Sequence, residues 1–585
     1  MSLSLSARVD EALASAFHLL ALPPELAHAE PSSRPELGDF QCHAALAAAR
    51  VVRRPPRAIA DEIAAALRGD ARFAAVEVAG PGFVNLRLAD GFLAGVAATT
   101  LVDPALGVRN EGEGQLVVLD FGGPNVAKPL HVGHLRSLVL GESLRRIHGA
   151  LGWRTHGDAH LGDWGLQMGM LSSAIRRTSP SLPYFTGAGP YPSEPPVTLD
   201  ELERLYPEAA AASREDPARM AEARADTAAL QAGDPGLLAL WHTLRQLSVD
   251  AQVQDFALLD VHFDALDGES DVRDAIAPLV ENLRARGVAR DSDGALVIDV
   301  ALPGDATEMP PLLLAKSDGA ALYATTDLAT LQARAQMPGL AKVIYVVDQR
   351  QALHFQQVFR AARRAGIADG VDLVHAGFGT VNGKDGKPFK TRQGGVARLR
   401  DLLDEAVERA GERVESSERV AVDERAGLAA MIGIAAVKFA DLSGDRLSGY
   451  VFDAERLVAF EGKTGPYLQY AVVRMRSILE KAGAQPAEQQ VGIPHATQPV
   501  ERELVLACLA FGDKVSEAAH LLQPGVLAAW AYDIAQRFSK FYDRCPILRE
   551  EDDAVRAHRL GICQLTLAVL QRALILLGIT VPTRM

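Results

Sequence analysis

Cysteine is scarce in this sequence, and its few copies lie far apart. Among 585 residues the cysteines are Cys42, Cys508, Cys545 and Cys563, and no CxxC pair occurs. Structural zinc sites usually need closely spaced Cys and His ligands, and disulfide frameworks need many cysteines in a short chain. The scarcity therefore argues against both. We expect reduced thiols that serve mainly as core residues, and no metal held by protein ligands alone.

Long apolar runs and an excess of basic residues are also missing. No stretch of 18 or more apolar residues predicts a membrane span. The amino-terminal segment carries Arg8, Asp10 and Glu11, and its acidity argues against a targeting peptide. We therefore expect a cytoplasmic protein with no membrane partner. The formal net charge of −14 argues against a wholly basic surface, but a local basic face would suffice to bind nucleic acid.

The chain is long enough for several domains, and the first is predicted over residues 1–108. Ile59, Ile63 and Leu67 recur at helical spacing. The string "VEVAGPGFVNLRLAD" indicates two short strands around a Pro-Gly turn. A small α+β domain fits this pattern, and the polar, Gly-rich "GVRNEGEGQ" marks its end.

The central region alternates strand and helix patterns. "LVVLDF" predicts a buried strand, and Leu140, Leu144 and Ile147 predict the helix that follows. "KVIYVVDQ" and "VDLVHAGFGTV" continue the alternation. A doubly wound parallel sheet over residues 113–400 fits this order. The stretch at about 176–260 is rich in Pro, Glu and Ala and predicts a helical insertion.

Strand signals are nearly absent after residue 401. Residues 401–455 are predicted to form a helical connector, and residues 456–585 an α-helical bundle. The predicted fold class is therefore multidomain α/β, with a small α+β domain, a parallel-sheet domain and a helical carboxyl-terminal domain.

Two histidines, His131 and His134, occupy the predicted strand-to-helix corner in "PNVAKPLHVGHLRS". A helix that starts at the carboxyl edge of a sheet offers free N–H groups and a positive dipole end, which suit phosphate. Each imidazole could donate an N–H to a phosphate oxygen, and Gly133 would let a flat ring such as adenine lie against the backbone. Such a pair can also be two surface histidines, but the strand–loop–helix context favours a nucleotide phosphate site.

The string "HVGH" resembles the HIGH signature of class I aminoacyl-tRNA synthetases, and "PNVAKPLHVGHLRS" resembles the arginyl-tRNA synthetases in particular. Further matches follow in the family's order: "HLGDWGLQ", "GES", "LYATTDLA", "IYVVDQRQALHF", "GKDGKPFKTRQGG", "EGKTGPYLQYAVVR" and "LLGITVPTRM". The resemblance covers essentially the whole chain. It implies a Rossmann-like catalytic domain and the ATP-dependent ligation of L-arginine to tRNA(Arg) through arginyl-adenylate, with Mg²⁺ accompanying ATP.

The resemblance also implies which residues act on the nucleotide. His131 and His134 would bind the reacting phosphates and stabilise their charge. In "PFKTRQGG", Phe389 stands where the family's second signature, KMSKS, begins with lysine. Lys128, just before the histidines, is expected to compensate for the missing lysine. The remaining positions carried over are catalytic Lys390, Thr391 and Arg392, and ATP-binding His131, Gly133, His134, His354 and Lys390.

A planar guanidinium with five donors is best bound by carboxylates. The resemblance assigns this task to Glu269 and Asp327. Tyr323 precedes Asp327 by four residues, so both could face one pocket on a helical turn. Asn125 is expected to hold the amino-acid end of the substrate, and Gln351 to line the same site.

The carboxyl-terminal bundle resembles a DALR-type anticodon-binding domain, and residues 1–108 resemble the domain that contacts the tRNA elbow. Unpaired bases are commonly held by aromatic rings and arginine planes. The candidate tRNA contacts are Tyr467, Tyr470, Arg474 and Trp530, although most aromatics at helical spacing are core residues. The resemblance to the family also implies that the protein is a monomer.

Two other hypotheses remain open from the sequence. A different HIGH-type nucleotidylyltransferase would explain the histidine pair but would leave the large helical carboxyl-terminal domain without a task. A non-catalytic tRNA-binding relative would be free to lose His131, His134, Glu269 and Asp327, yet all four are present.

Overall fold

The computed structural model describes residues 3–187, 189–315, 322–383, 385–387, 389, 397–415, 420–483 and 498–585. Its helices are α1 (Leu5–Leu19), α2 (Ala44–Val52), α3 (Pro56–Leu67), α4 (Asp90–Val102), α5 (Val132–Ala150), α6 (Leu166–Thr178), α7 (Pro183–Thr186), α8 (Leu199–Glu215), α9 (Pro217–Gln231), α10 (Pro235–Leu258), α11 (Arg273–Ala285), α12 (Tyr323–Arg334), α13 (Ala352–Ala365), α14 (Leu399–Glu415), α15 (Arg425–Leu442), α16 (Ala454–Leu457), α17 (Gly465–Lys481), α18 (Pro499–Leu509), α19 (Phe511–His520), α20 (Gly525–Arg544) and α21 (Asp553–Leu576). Its strands are β1 (Glu30–Pro31), β2 (Phe40–Cys42), β3 (Phe73–Ala79), β4 (Phe83–Leu88), β5 (Leu116–Phe121), β6 (Arg154–Asp158), β7 (Arg290–Ser292), β8 (Ala295–Ile298), β9 (Leu312–Ala315), β10 (Leu340–Val346), β11 (Asp372–His375), β12 (Val381–Asn382) and β13 (Tyr450–Val451).

The central sheet is parallel, with strand order β11-β10-β5-β6. Along β5, the side chains of Val117, Leu119 and Phe121 belong to the core that includes α5. Leu116 and Val118 belong to the opposite core, with α12 and α13. A strand covered by helices on both faces is apolar along nearly all of its length, which explains the run "LVVLDF", in which Asp120 at the carboxyl end is the single acid. The predicted doubly wound parallel sheet is confirmed.

The flanking regions are built as the patterns predicted. Near the amino terminus, β1, β2, β4 and β3 form an antiparallel sheet beside α1–α4. The carboxyl-terminal region is a bundle of α17–α21. Among the described residues, α21 is the helix long and apolar enough to cross a membrane, yet 67% of its apolar window is buried. It also carries Arg559, whose Nε donates a 2.8 Å hydrogen bond to buried Glu501, as in a core helix of a bundle.

A second small sheet is not indicated by the sequence patterns. Strands β7, β8 and β9 pair antiparallel between α11 and α12. β7 is exposed and charged, so it shows no apolar alternation. The sheet gains its stability from β8 and β9, whose buried residues join the α12–α13 side of the core.

Helix α5 is supported from behind by parts of the chain that lie far away in sequence. Arg136 is only 1% exposed, and its Nε donates a 2.9 Å hydrogen bond to Asp441 on α15. The Ser143 hydroxyl donates a 3.1 Å hydrogen bond to the carbonyl of Leu576, 433 residues later. The helix that follows the histidine pair is therefore fixed by the connector and by the end of α21.

Candidate active site

The two histidines cap the helix that starts at the carboxyl edge of β5. His131 is the N-cap of α5, and its Nδ1 accepts a 3.0 Å hydrogen bond from the N–H of Gly133. Nδ1 of His134 accepts a 3.0 Å hydrogen bond from the N–H of His131. The ring centroids lie 3.9 Å apart. Because Nδ1 is an acceptor in both rings, the neutral form of each histidine carries its proton on Nε2.

Both imidazoles are held in the neutral form. Burial lowers the pKa of His131, and the nearby Lys128 charge lowers it further. The pKa of His134 falls to about 3, chiefly through burial and then through the neighbouring His131. At neutral pH the pair therefore offers two Nε2–H donors rather than two positive charges. A positive charge at this corner comes from Lys128, whose ammonium lies 4.5 Å from the centre of the Tyr206 ring.

At two positions of this corner, neighbouring atoms leave no room for a side chain, which explains why glycine occupies them. A Cβ on Gly133 would lie 2.6 Å from Cε1 of His131, so the space beside this glycine is filled by the imidazole of the cap. Gly133 itself is exposed, and the expectation that adenine lies against its backbone stays a prediction. A Cβ at Gly123 would lie 2.6 Å from the carbonyl oxygen of His160, too close for any side chain without backbone movement.

Of the second signature, the structure describes only the residues at either end. Lys390, Thr391 and Arg392 lie outside the described residues. Phe389 packs edge-on against Phe452, with ring centroids 5.5 Å apart, so the residue that replaces the signature lysine belongs to a small apolar contact.

The chain that follows this signature is hydrogen-bonded to the histidine corner. The carbonyl of Ala397 accepts a 3.0 Å hydrogen bond from the N–H of Val132, and the N–H of Leu399 donates a 2.8 Å bond to Leu130. The carboxyl-terminal side of the second signature is thereby fixed to the backbone around the first.

Residues predicted to bind a guanidinium gather beside the histidine corner. Tyr323 and Asp327 lie one turn apart on α12. The negative charges of Asp163 and, more weakly, Asp327 add to burial in raising the pKa of Glu269 to about 7. Burial and the charge of Glu269 also raise the pKa of Tyr323. The two predicted acids and the tyrosine therefore lie close enough for their charges to interact, and we refer to this group as the acid pocket.

His354 contacts this acid pocket. Its Nε2 lies 2.5 Å from Oδ2 of Asp327, although the resemblance places His354 near adenosine. Gln351 is exposed on the short turn that precedes α13, three residues before His354. Asn125 forms an isolated bridge with Gly162, in the loop that follows β6.

Sequence reasoning missed a buried charge network beneath this pocket. Arg334 bridges two carboxylates at the ends of β5 and β6: its Nη2 donates to Asp120 at 2.7 Å and to Asp158 at 2.5 Å. Nearby, Asp163 accepts hydrogen bonds from the N–H and hydroxyl of Ser270, at 3.0 and 2.8 Å. Ser270 follows Glu269 directly, so this network fixes the loop that carries a predicted ligand. The sequence feature that could have predicted this network is the aspartate at the end of each strand, Asp120 in β5 and Asp158 in β6.

The candidate tRNA contacts separate into two kinds. Trp530 is 7% exposed and donates its indole N–H to the carbonyl of Ala507 at 3.0 Å, so it packs in the bundle and presents no face to a base. The predicted contact role of Trp530 is corrected to packing. Tyr470 is 44% exposed on α17. Tyr467 packs against Tyr532, and the guanidinium of Arg474 lies 4.3 Å from the Tyr542 ring centre.

Family models match nearly the whole chain. The model for tRNA synthetases class I (R), catalytic domain, matches residues 97–454. The arginyl tRNA synthetase N terminal domain matches residues 4–88, and the DALR anticodon binding domain matches residues 468–585. A parallel sheet with a histidine-capped helix and these matches define a class I aminoacyl-tRNA synthetase.

Comparison with individual proteins shows which member of this class the chain resembles. The chain is 47% identical to the arginine–tRNA ligase of Maricaulis maris and 45% identical to that of Hyphomonas neptunium, over 100% of both chains in each case. The arginyl-tRNA synthetase structure from Thermus thermophilus has 26% identity and a TM-score of 0.80, covering 99% of this chain and 100% of that one. The structure from Plasmodium falciparum shares the fold at a TM-score of 0.82, with 24% identity and full coverage of both chains. The chain belongs to the arginyl-tRNA synthetases.

Proposed function

We propose that this protein ligates L-arginine to tRNA(Arg) in two steps. The arginine carboxylate attacks the α-phosphorus of ATP, which forms arginyl-adenylate and expels pyrophosphate. A terminal ribose hydroxyl of the tRNA then takes the arginyl group, and AMP leaves. The observation that carries this proposal is the meeting, at one sheet edge, of a neutral histidine pair with a pocket containing Asp327 and Glu269.

The histidine corner would serve the reacting phosphates. Phosphoryl-type transfer needs positioning and charge stabilisation more than covalent help from the protein. The Nε2–H groups of His131 and His134 would donate to phosphate oxygens, and the ammonium of Lys128 would supply positive charge. Lys390, Thr391 and Arg392, which the resemblance places in the second signature, would also act on the nucleotide.

Arginine would lie between α12 and the loop that carries Glu269. Asp327 and Glu269 would grip the guanidinium, and Tyr323 would cover it. Asn125 would hold the amino-acid end, with Gln351 along the same wall. The contact of His354 with Asp327 supports a further role, in which the imidazole orients that carboxylate toward the guanidinium.

Mg²⁺ would enter with ATP. Among the described residues, no group of three His, Cys, Asp or Glu side chains could hold a metal ion. Mg²⁺ is commonly bound by phosphate oxygens and water with few protein ligands, and such binding fits this site. The ion would neutralise phosphate charge, while the side chains of the chain itself bind and orient the substrates.

The remaining regions would bind tRNA. We assign the elbow of tRNA to residues 1–108 and the anticodon to residues 456–585, with Tyr467, Tyr470 and Arg474 as candidate contacts. The catalytic domain would span residues 113–400, with its insertion at about 176–260, and residues 401–455 would connect it to the bundle. We further propose a monomer located in the cytoplasm; the free, buried cysteines are consistent with that reducing compartment.

Pyrophosphate exchange tests the proposed function directly. Exchange of labelled pyrophosphate into ATP should require arginine among the twenty amino acids, measured with and without tRNA(Arg). Exchange with another small acid would favour a different nucleotidylyltransferase. Tight tRNA binding without any exchange would favour a non-catalytic relative.

Arginine binding should weaken as the pH falls through 7. Burial raises the pKa of Glu269 to about 7, so below that pH the carboxyl group must lose a proton before it can pair with a guanidinium. From pH 8 to pH 6 the ionised fraction drops about tenfold, and the Kd for arginine should rise about tenfold with it. Calorimetry at constant ionic strength measures this Kd. Glu269→Gln should bind more weakly and lose the pH dependence, whereas an equally steep profile in that variant would contradict the assignment.

Tyr470 and Trp530 should respond differently to truncation. Tyr470→Ala should raise the KM for tRNA roughly tenfold, about 1.4 kcal/mol, if its ring stacks on a base. Its melting temperature should change little because the side chain is exposed. Trp530→Ala should lower the melting temperature through loss of buried packing. An unchanged tRNA KM for Tyr470→Ala would remove it from the anticodon interface.

A further inference from the structure

One turn of α8, in the helical insertion, touches both signature regions. Glu203 and Tyr206 lie three residues apart and therefore face the same side of the helix. The ammonium of Lys128, just before the histidines, lies 4.5 Å from the Tyr206 ring centre. Nη2 of Arg398, just after the second signature, lies 2.6 Å from Oε2 of Glu203. The insertion thus contacts a residue just before the histidine motif and a residue just after the second signature.

The Glu203 contact holds α8 in place over the site. The Glu203 side chain is only 10% exposed, and Arg398 forms a backbone bridge with His131. A second ion pair joins the insertion to the same segment, since Arg400 lies 2.7 Å from Asp255 on α10. Tyr206 therefore lies on a helix of an insertion that is anchored by ion pairs to Arg398 and Arg400.

The position of Lys128 indicates the role of the Tyr206 ring. The charge of Lys128 acts on both His131 and His134, so the ammonium already lies toward the phosphate corner. Tyr206 also lies close enough to Tyr323, at the edge of the acid pocket, to contribute to the raised pKa of that phenol. A lysine on a flexible four-carbon stem has many rotamers, and an aromatic face restricts them by attracting the cation.

We propose that Tyr206 is a positioning residue that holds the Lys128 ammonium toward the phosphates of ATP. The inference rests on the proposed function, because it concerns the same activation step. It extends the site to the insertion, which no sequence motif pointed to. A well-placed Lys128 matters here because Phe389 stands at the position of a signature lysine and packs against Phe452.

A double-mutant cycle tests the proposal. Tyr206→Leu should slow arginyl-adenylate formation roughly three- to thirtyfold, the range expected for a partly shielded cation–ring contact. Tyr206→Phe keeps the ring face and should retain most activity, while the KM for arginine changes little. In a Lys128→Ala background, Tyr206→Leu should have no further effect. Tyr206→Met provides a second non-aromatic variant if the leucine variant folds poorly.

Arg204→Ala is the matched control on the same helix. Arg204 is 67% exposed and pairs at 3.2 Å with Glu208, which is itself 56% exposed, so the loss of this surface ion pair should leave the rate unchanged. An equal loss from Tyr206→Leu in both backgrounds, or a faster rate in that variant, would overturn the proposal. A harmless Lys128→Ala would overturn it together with the assigned role of Lys128. Failure of the proposed function itself is distinguishable, because the unmodified protein would then show no arginine-dependent exchange.

Discussion

Replacing Asp327 with Asn is expected to lower kcat/KM for arginine by about 10²–10⁴-fold, because a shielded guanidinium loses its carboxylate partner at a cost of roughly 3–5 kcal/mol. Asparagine keeps the size of the side chain and removes only its charge. It can also still meet His354, whose Nε2 lies 2.5 Å from Oδ2 of Asp327. The loss should therefore come from substrate binding and not from collapse of the pocket.

The measurement is steady-state arginine activation, with ATP affinity and melting temperature measured in parallel. Glu269→Gln should show a loss of the same kind, and lysine should remain a poor substrate because its compact ammonium cannot make forked contacts. Asp274→Asn is the matched control, since the Asp274 side chain is 94% exposed. Unchanged arginine kinetics in both pocket variants would mean that the guanidinium binds elsewhere.

His134→Asn should lower the rate of adenylate formation by about 10²–10³-fold, the usual effect of removing one donor from a developing charge. The side-chain oxygen of asparagine can take the place of Nδ1 and accept the N–H of His131, a bond of 3.0 Å in this structure. Asparagine has no group at the position of Nε2, so the cap survives while the phosphate donor is lost.

His134→Gln is the complementary variant. Its amide can reach toward the Nε2 position but fits the cap poorly, so it should recover part of the rate at the expense of melting temperature. Single-turnover adenylate formation and thermal melting separate the two effects. A fully active asparagine variant, or a rate loss that follows the melting temperature across both variants, would show that His134 serves the helix alone.

Local patterns were enough to predict the sheet and the histidine corner. The run "LVVLDF" and the apolar spacing after it specify a buried strand and a helix through burial alone, so β5 and α5 follow from the sequence. The contact of His354 with Asp327 joins residues 27 positions apart on different helices, and only tertiary packing determines it.

Exposure was the least predictable property. Trp530 and Tyr470 are both aromatic residues on amphipathic helices, yet one is 7% exposed and the other 44%. Their difference depends on which neighbouring helix covers each ring, and a single-helix pattern does not contain that information. The strand β7 was missed for a related reason, since "RDS" at an exposed edge has no apolar alternation.

The bond from Ser143 to Leu576 has a consequence for how the protein is made. Ribosomes deliver the chain from its amino terminus, so α5 emerges 433 residues before the backbone that covers its rear surface. Until α21 has been synthesised, the helix beside the nucleotide corner keeps an uncovered face. We expect the nascent enzyme to depend on chaperones during this interval, and a fragment ending at residue 454 to be recovered mainly in aggregates on expression.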